Sequence, residues 1–217
     1  QYVAVLEVDD RGAITGFKAD PKLDEIVSQN AKIEKLASGF QFTEGPVWVR
    51  EGSYLLFSDP NANTIYKYST DGKLSVFKTP SGYSGSDIAE YRQPGSNGIT
   101  LDPAGNIVFN QHGNRRVVRL EKDGSETVIA DKFEGKRLNS PNDVVVASDG
   151  TVWFTDPTYG IDSFDEGHPA VSEIGASYVY RVDLQGDVTA QITDMVRPNG
   201  LAFSLDERSL YVADTGV

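Results

Sequence analysis

The chain has 217 residues, 39% of them hydrophobic, and no cysteine, so it can bury a sizeable core but has neither disulfides nor thiol chemistry. Its net charge of −12 disfavours nucleic acid and anionic membrane surfaces as partners. Two histidines argue against a multi-histidine zinc site, and no apolar run reaches the length of a membrane span.

The first part of the chain, residues 1–40, does not share the pattern of the rest. A short helix is predicted within residues 22–32, because three apolar residues after a proline lie at helical spacing: Leu23, Ile26 and Val27. Residues 31–36 are a candidate strand that would close a circular array of sheets. We therefore predict an N-terminal segment over 1–40 and a second domain over 41–217. The composition leaves a secreted or periplasmic and a cytoplasmic location equally open.

One pattern recurs through the second domain. Each unit begins with a polar residue beside Gly or Asp, followed by a strand, a second strand with a polar end, and two further strands. The four starts lie 53, 45 and 57 residues apart, and they are Glu44-Gly45, Asn97-Gly98, Asn142-Asp143 and Asn199-Gly200. Asp-Gly pairs recur in phase and predict hairpin turns at 71–72, 123–124 and 149–150. A period near fifty residues with four strands per unit is typical of a β-propeller.

The predicted inner strands of this all-β fold cover residues 46–50, 98–102, 143–147 and 200–204. The sequence ends after the second strand of the fourth unit, so about three and a half blades and the N-terminal segment are predicted from it. An open propeller would expose an unpaired sheet edge. We therefore expect a C-terminal segment of the same protein to complete the propeller, and we expect residues 1–217 alone to be neither stable nor active.

The inner strands of a propeller run along a central channel, so residues at the same register form a ring. The ring residues predicted here are Glu44, Asn97, Asn142 and Asn199. One carboxylate and three amides are hard oxygen donors of the kind that calcium binds, and they also suit a sugar without a metal. Asn-Gly and Asn-Asp are ordinary turn signals as well, but a shared register in successive blades favours a functional ring.

Other residues are candidates on weaker patterns. Three aspartates close second strands, with Gln111 at the equivalent place in the second unit, and predict Asx turns or hydrogen bonds to the next strand: Asp59, Asp156 and Asp214. His112 is a candidate general acid or substrate-binding group. Two long insertions, residues 80–95 and 158–177, either border the channel mouth or form surface loops.

Several segments resemble the senescence-marker-protein/gluconolactonase/luciferin-regenerating family, in its gluconolactonase branch. The resemblance covers roughly residues 40–217, and its most specific part is the Leu-Asn-Ser-Pro-Asn-Asp stretch at 138–143. The other matching segments are Phe-Thr-Glu-Gly-Pro-Val-Trp at 42–48, Phe-Thr-Asp-Pro at 154–157 and Arg-Pro-Asn-Gly-Leu-Ala-Phe-Ser at 197–204. The resemblance implies a six-bladed β-propeller with one divalent metal, usually calcium, in its axial channel.

The same resemblance implies roles for single residues. Glu44, Asn142 and Asn199 correspond to three metal ligands. The fourth ligand of the family, an Asp that is also a candidate base, is expected beyond Val217, so no catalytic residue is assigned within the chain. Candidates for binding the sugar hydroxyls or the leaving oxygen are Asn97, His112 and Arg115.

The predicted function is therefore metal-dependent hydrolysis of a sugar lactone, in which the carbonyl is polarised and water attacks it. Two alternatives stay open. One is hydrolysis of organophosphates at the same metal, and the other is a propeller that docks partners without catalysis.

Overall fold

A computed structural model of the chain describes residues 5–8, 14–18 and 34–216. The chain divides into two compact units, residues 1–39 and 40–217. In the first unit, β1 (Val5–Val8) and β2 (Ile14–Lys18) form an antiparallel hairpin that the sequence pattern did not predict.

The helix predicted at 22–32 lies outside the described residues, as does the beginning of the strand predicted at 31–36. Residues 34–36, which are described, have no regular secondary structure. No helix among the described residues is long and apolar enough to cross a membrane.

The second unit consists of antiparallel sheets whose strands follow chain order. The first sheet contains β3 (Glu44–Val49), β4 (Tyr54–Asp59), β5 (Thr64–Ser69) and β6 (Leu74–Lys78). The second sheet contains β7 (Ser96–Leu101), β8 (Ile107–Gln111), β9 (Arg116–Leu120) and β10 (Glu126–Ala130). After a small hairpin of β11 (Lys132–Phe133) and β12 (Lys136–Arg137), the third sheet contains β13 (Val144–Val146), β14 (Val152–Asp156), β15 (Tyr178–Val182) and β16 (Val188–Ile192). The fourth sheet pairs β17 (Pro198–Phe203) with β18 (Leu210–Asp214).

The fold is thus all-β, with one four-residue helix, α1 (Tyr159–Asp162), and a 3-10 turn at Ile88–Glu90 in the described part of the chain. The inner strands occupy the predicted segments, although β3, β7 and β17 begin two residues earlier than expected. The hairpin of β11 and β12 was not predicted, because strands of two residues are too short to show an alternating pattern.

The predicted Asp-Gly turns are confirmed. Their glycines, Gly72, Gly124 and Gly150, have φ values of 80°, 84° and 88°. Backbone hydrogen bonds close each turn, as between Ser69 N and Lys73 O at 3.0 Å. A residue with a side chain is strained at such φ, so glycine at these places determines where consecutive strands reverse.

The core lies between the sheets, and the second sheet is covered on both faces. Consecutive residues of a strand point to opposite faces. Val108 and Val117 pack against the third sheet, while Phe109 and Val118 pack against the first sheet. Burying a side chain such as Phe109, which is 0% exposed, contributes about 1.5–3 kcal/mol. The inner strands β3, β7, β13 and β17 consequently neighbour one another in chain order.

Candidate functional site

A cavity of about 140 Å³ opens where the inner strands meet. All four ring residues line it, together with His112. The remaining lining residues come from the approach to β3 and from the two long insertions, and they are Phe42, Gln93, Tyr159 and Glu166.

A break in strand register coincides with the ring residue in three sheets. The pairing shifts between Glu44 and Val47 in β3, between Ser96 and Ile99 in β7, and between Pro198 and Leu201 in β17. In the third sheet, Asn142 precedes β13, and its N–H donates to Thr155 O at 2.9 Å. Such bulges re-aim a side chain, and here they occur where the ring residues meet the cavity.

Neighbouring inner strands approach each other closely because a glycine follows the ring residue. Gly45 has a φ of 53°, and a Cβ on it would lie 2.3 Å from Asn97 O. A Cβ on Gly98 would lie 2.5 Å from Oδ1 of Asp143, and its N–H donates to Asn142 O at 2.8 Å. A side chain at either position would separate adjacent ring residues.

The surroundings of the Glu44 carboxyl group at the cavity disfavour its ionised form. Burial raises the pKa of Glu44, and the nearby Asp143 carboxylate raises it further, against the opposing effect of the Gly45 N–H. Burial also raises the pKa of Asp143, whose oxygens accept N–H bonds from Leu201 at 3.0 Å and Val144 at 2.9 Å. Of these two carboxylates, that of Glu44 lines the cavity, and a partly desolvated carboxylate favours a nearby cation.

His112 lies at the cavity with a side chain that is only 1% exposed. Burial lowers its pKa to about 4, although the backbone at Pro141 and Glu166 favours the protonated form. Among the described residues, neither ring nitrogen has a hydrogen-bond partner of good geometry. The imidazole is therefore neutral at pH 7, with one donor and one acceptor available to a ligand.

The structure brings five of the six predicted residues together at the cavity, and Arg115 is the exception. Arg115 does not line the cavity. Its side chain is buried, and its Nε donates to Leu138 O at 2.7 Å. Its guanidinium also interacts with the carboxylate of Asp156. Arg115 therefore supports the segment that leads to Asn142 in this structure.

The two insertions supply lining residues that no sequence pattern predicted. Their length marked them as functional candidates, but no pattern indicated that Gln93, Tyr159 and Glu166 would reach the cavity. The two insertions contact each other through Glu90 and Tyr91 of the first and His168 of the second, and we call these three residues the clasp. The Tyr91 ring stacks on His168 with centroids 4.6 Å apart, and His168 Nε2 lies 3.1 Å from Glu90.

The donor set at the cavity suits a hard cation. In the described part of the chain, no three His, Cys, Asp or Glu side chains cluster in a way that could hold a metal. The ring instead offers the Glu44 carboxylate and the amides of Asn97, Asn142 and Asn199. Calcium accepts carboxylate and amide oxygens together, whereas zinc prefers nitrogen and sulfur.

The three aspartates at the ends of second strands do not line the cavity. Asp59, Asp156 and Asp214 accept backbone N–H bonds from the segments that lead to ring residues. Gln111 differs, because its side chain contacts Ser81 O and Glu126 instead. The predicted bond to the next strand is thus replaced by bonds to the segment before the inner strand, and the predicted Asx turn is present at Asp214, which accepts from Gly216 N at 3.0 Å.

Comparison with known proteins places the chain among lactonase relatives. The sequence pattern of the SMP-30/Gluconolactonase/LRE-like region matches residues 42–217. A gluconolactonase from Zymomonas mobilis subsp. mobilis is 40% identical over 206 residues, which are 94% of this chain and 57% of that protein.

Solved structures agree with the sequence comparison. A protein solved as a candidate gluconolactonase has a TM-score of 0.78 and 42% identity, over 90% of this chain and 63% of its own. A gluconolactonase from Xanthomonas campestris has a TM-score of 0.73 and 34% identity, over 83% of this chain and 56% of its own. The chain spans less than two thirds of each relative. It belongs to the SMP-30/Gluconolactonase/LRE-like family.

Proposed function

We propose that the protein containing this chain hydrolyses a sugar lactone, with Glu44, Asn142 and Asn199 as ligands of a divalent cation, calcium in the first place. We further propose that the sheets described here are blades of a six-bladed propeller. The observation that carries the proposal is the convergence of the four ring residues and His112 on one cavity. The similarity to gluconolactonases supports the choice of substrate class.

The size and polarity of the cavity suit one small polyhydroxylated ring. A protein cavity of about 150 Å³ accommodates benzene, so a cavity of about 140 Å³ admits the six-membered ring of a sugar lactone while some of its substituents project. Amide, imidazole and phenol groups line it, and they form hydrogen bonds with neutral hydroxyls. Tyr159 and Glu166, which come from the second insertion, would contact the part of the sugar that projects from the cavity.

The reaction requires water to add to the lactone carbonyl carbon. The bond from that carbon to the ring oxygen then breaks, and an open-chain hydroxy acid forms. A cation held by the ring would supply polarisation of the carbonyl.

The residues of this chain bind and orient the substrate. Asn97 and His112 hold the hydroxyls or the leaving oxygen, and the neutral imidazole of His112 can both donate and accept a hydrogen bond. Arg115 has no direct role in this proposal, because it does not line the cavity and its Nε donates to Leu138 O. The base that the family resemblance predicts is a separate Asp, so the roles proposed here are binding, orientation and ligation.

The test measures hydrolysis of glucono-δ-lactone by the full-length protein, with proton release as the readout. Rates are compared with calcium present, with a chelator, and after calcium is restored. Glu44→Gln keeps the size of the side chain but removes its charge. It should weaken calcium binding in calorimetry at least about tenfold and reduce turnover. Glu51→Gln, at an exposed turn of the first sheet, is the matched control.

Two results would contradict the proposal. One is turnover that the chelator leaves unchanged, and the other is unchanged calcium affinity in Glu44→Gln. A phosphotriester measured beside the lactone distinguishes organophosphate hydrolysis, and absence of turnover with both substrates would favour a docking role.

A further inference from the structure

Three aspartates behind the ring each accept two backbone N–H bonds in one repeated arrangement. Asp59 accepts from Gln41 N at 2.8 Å through Oδ2 and from Phe42 N at 3.3 Å through Oδ1. The other two aspartates use their oxygens in the same way. Asp156 accepts from Asn139 N through Oδ2 and from Ser140 N through Oδ1, at 2.8 Å each. Asp214 accepts from Val196 N through Oδ2 at 2.9 Å and from Arg197 N through Oδ1 at 2.8 Å. The donors always stand three and two residues before Glu44, Asn142 or Asn199.

These hydrogen bonds are not local turns. The partners are 16 to 18 residues apart in sequence, whereas an Asx turn joins neighbours. Local bonds exist beside them, such as Ala62 N to Oδ1 of Asp59 at 3.1 Å. Each carboxyl group thus ties the end of one strand to the beginning of the preceding inner strand, by bonds that are charge-assisted when the group is ionised. We call each aspartate with its two donors a bracket.

The second sheet has no bracket, and its sequence departs at both ends of the interaction. Pro94 stands three residues before Asn97 and has no N–H, and Gln111 replaces the aspartate. The remaining donor, Gly95 N, bonds to Pro60 O at 3.0 Å instead. The carboxylate is therefore present in the three sheets that offer a pair of donors and absent in the sheet that does not.

Each bracketed ring residue lies between two fixed points of the backbone. The bracket holds the chain two residues before it. After Glu44 and Asn199, strand pairing resumes at Val47 with Leu56 and at Leu201 with Val212. After Asn142, the backbone of Asp143 accepts from Thr155 N at 3.0 Å. A segment this short between two anchors allows little movement of the ring side chain.

We propose that Asp59, Asp156 and Asp214 are positioning residues, each of which sets the location of the following ring residue through the backbone. The proposal rests on the function proposed above. It differs from simple stabilisation, because each aspartate should act most on its own ring residue.

The test compares Asp156→Asn with Asp59→Asn in the full-length protein. Asparagine preserves size and one acceptor oxygen but replaces the second oxygen with an NH2 donor, which cannot accept the second backbone N–H. Without metal, the side-chain amide signals of Asn142 in NMR spectra should shift in Asp156→Asn and stay in place in Asp59→Asn. With calcium, both variants should bind roughly 10–100-fold more weakly in calorimetry, the range typical for residues that orient metal ligands.

A core substitution in the first sheet is the control for lost stability. Ile65 is 0% exposed and lies away from the ring, so Ile65→Val should lower the melting temperature without changing calcium affinity. The proposal is wrong if the aspartate variants lose stability while calcium affinity and the Asn142 signals stay as in the wild type.

Amide hydrogen exchange in the wild type covers the case in which the variants do not fold. If the brackets promote metal binding, calcium must in turn slow exchange at the six donor N–H groups, because coupling is reciprocal. Unchanged exchange in a wild type that binds calcium would overturn the proposal. A wild type that neither binds calcium nor hydrolyses lactone would refute the proposed function, and the metal-free Asn142 signals would then decide the positioning role alone.

Discussion

The backbone of Gly160 lies against the imidazole of His112, and a Cβ on Gly160 would stand 2.6 Å from Nε2. The same Cβ would lie 2.7 Å from Cβ of Ser140. The N–H of Gly160 donates to Ser140 Oγ at 2.9 Å, which fixes this approach. The second insertion thus covers His112 through a residue without a side chain.

Gly160→Ala should therefore reduce both stability and lactone hydrolysis. Alanine favours a helix over glycine by about 1 kcal/mol, but overpacking against His112 and Ser140 costs about 1–3 kcal/mol, so the clash prevails. Melting temperature and steady-state kinetics measure the two effects. The control is Ala170→Ser, which adds one heavy atom at an exposed position of the same insertion. A Gly160 variant no worse than this control would contradict the prediction.

Asp156 should make the protein more stable at acidic than at neutral pH. Burial raises its pKa to about 7, although the N–H groups of Asn139 and Ser140 and the charge of Arg115 oppose the shift. In the unfolded chain the pKa is about 3.9. The folded state therefore binds more protons between these values. The stability that the protonated Asp156 contributes to the folded state is fully present below about pH 4 and is lost as pH rises through about 7.

Urea unfolding of wild type and Asp156→Asn at several pH values measures this contribution. The difference in free energy of unfolding between the two proteins should be largest near pH 4 and smaller near pH 7. A difference that grows with rising pH would show that Asp156 is an ordinary ionised carboxylate.

His112 should have the opposite pH dependence. Burial lowers its pKa to about 4, whereas the unfolded value is about 6.5. The unfolded chain binds more protons in this window, so the stability contributed by neutral His112 is present above about pH 6.5 and is lost as pH falls through about 4. The advantage of the wild type over His112→Gln should shrink with falling pH. Nitrogen chemical shifts of an imidazolium at pH 6 would contradict the prediction.

The clasp should matter more for substrate binding than for stability. The pair of His168 and Glu90 is partly exposed and contributes at most about 1 kcal/mol. His168→Ala also removes the stacking on Tyr91. Because the two insertions carry Gln93, Tyr159 and Glu166, we expect His168→Ala to raise KM several-fold. Its kcat and melting temperature should change less.

His168→Phe is the matched variant for the clasp. It preserves an aromatic ring against Tyr91 but loses the contact with Glu90, and it should behave nearly like the wild type. An unchanged KM in His168→Ala would show that the clasp does not support the cavity wall.

The sequence by itself determined the all-β class, the strand order and the shared register of Glu44, Asn97, Asn142 and Asn199. These follow from local signals, since strand alternation and Asp-Gly turns involve residues close in the chain. Equivalent residues of repeated units occupy equivalent places, so the repeat also predicts that these four residues share one location in their sheets.

Only the tertiary structure decided the surroundings of those residues. Arg115 was predicted to bind substrate but does not line the cavity, whereas Gln93 and Glu166 reach it from insertions without a periodic pattern. The neutral state of His112 and the bonds of Asp156 to Asn139 depend on burial and on contacts between distant segments. Desolvation and long-range hydrogen bonding arise from packing, so no local pattern of residue types encodes them.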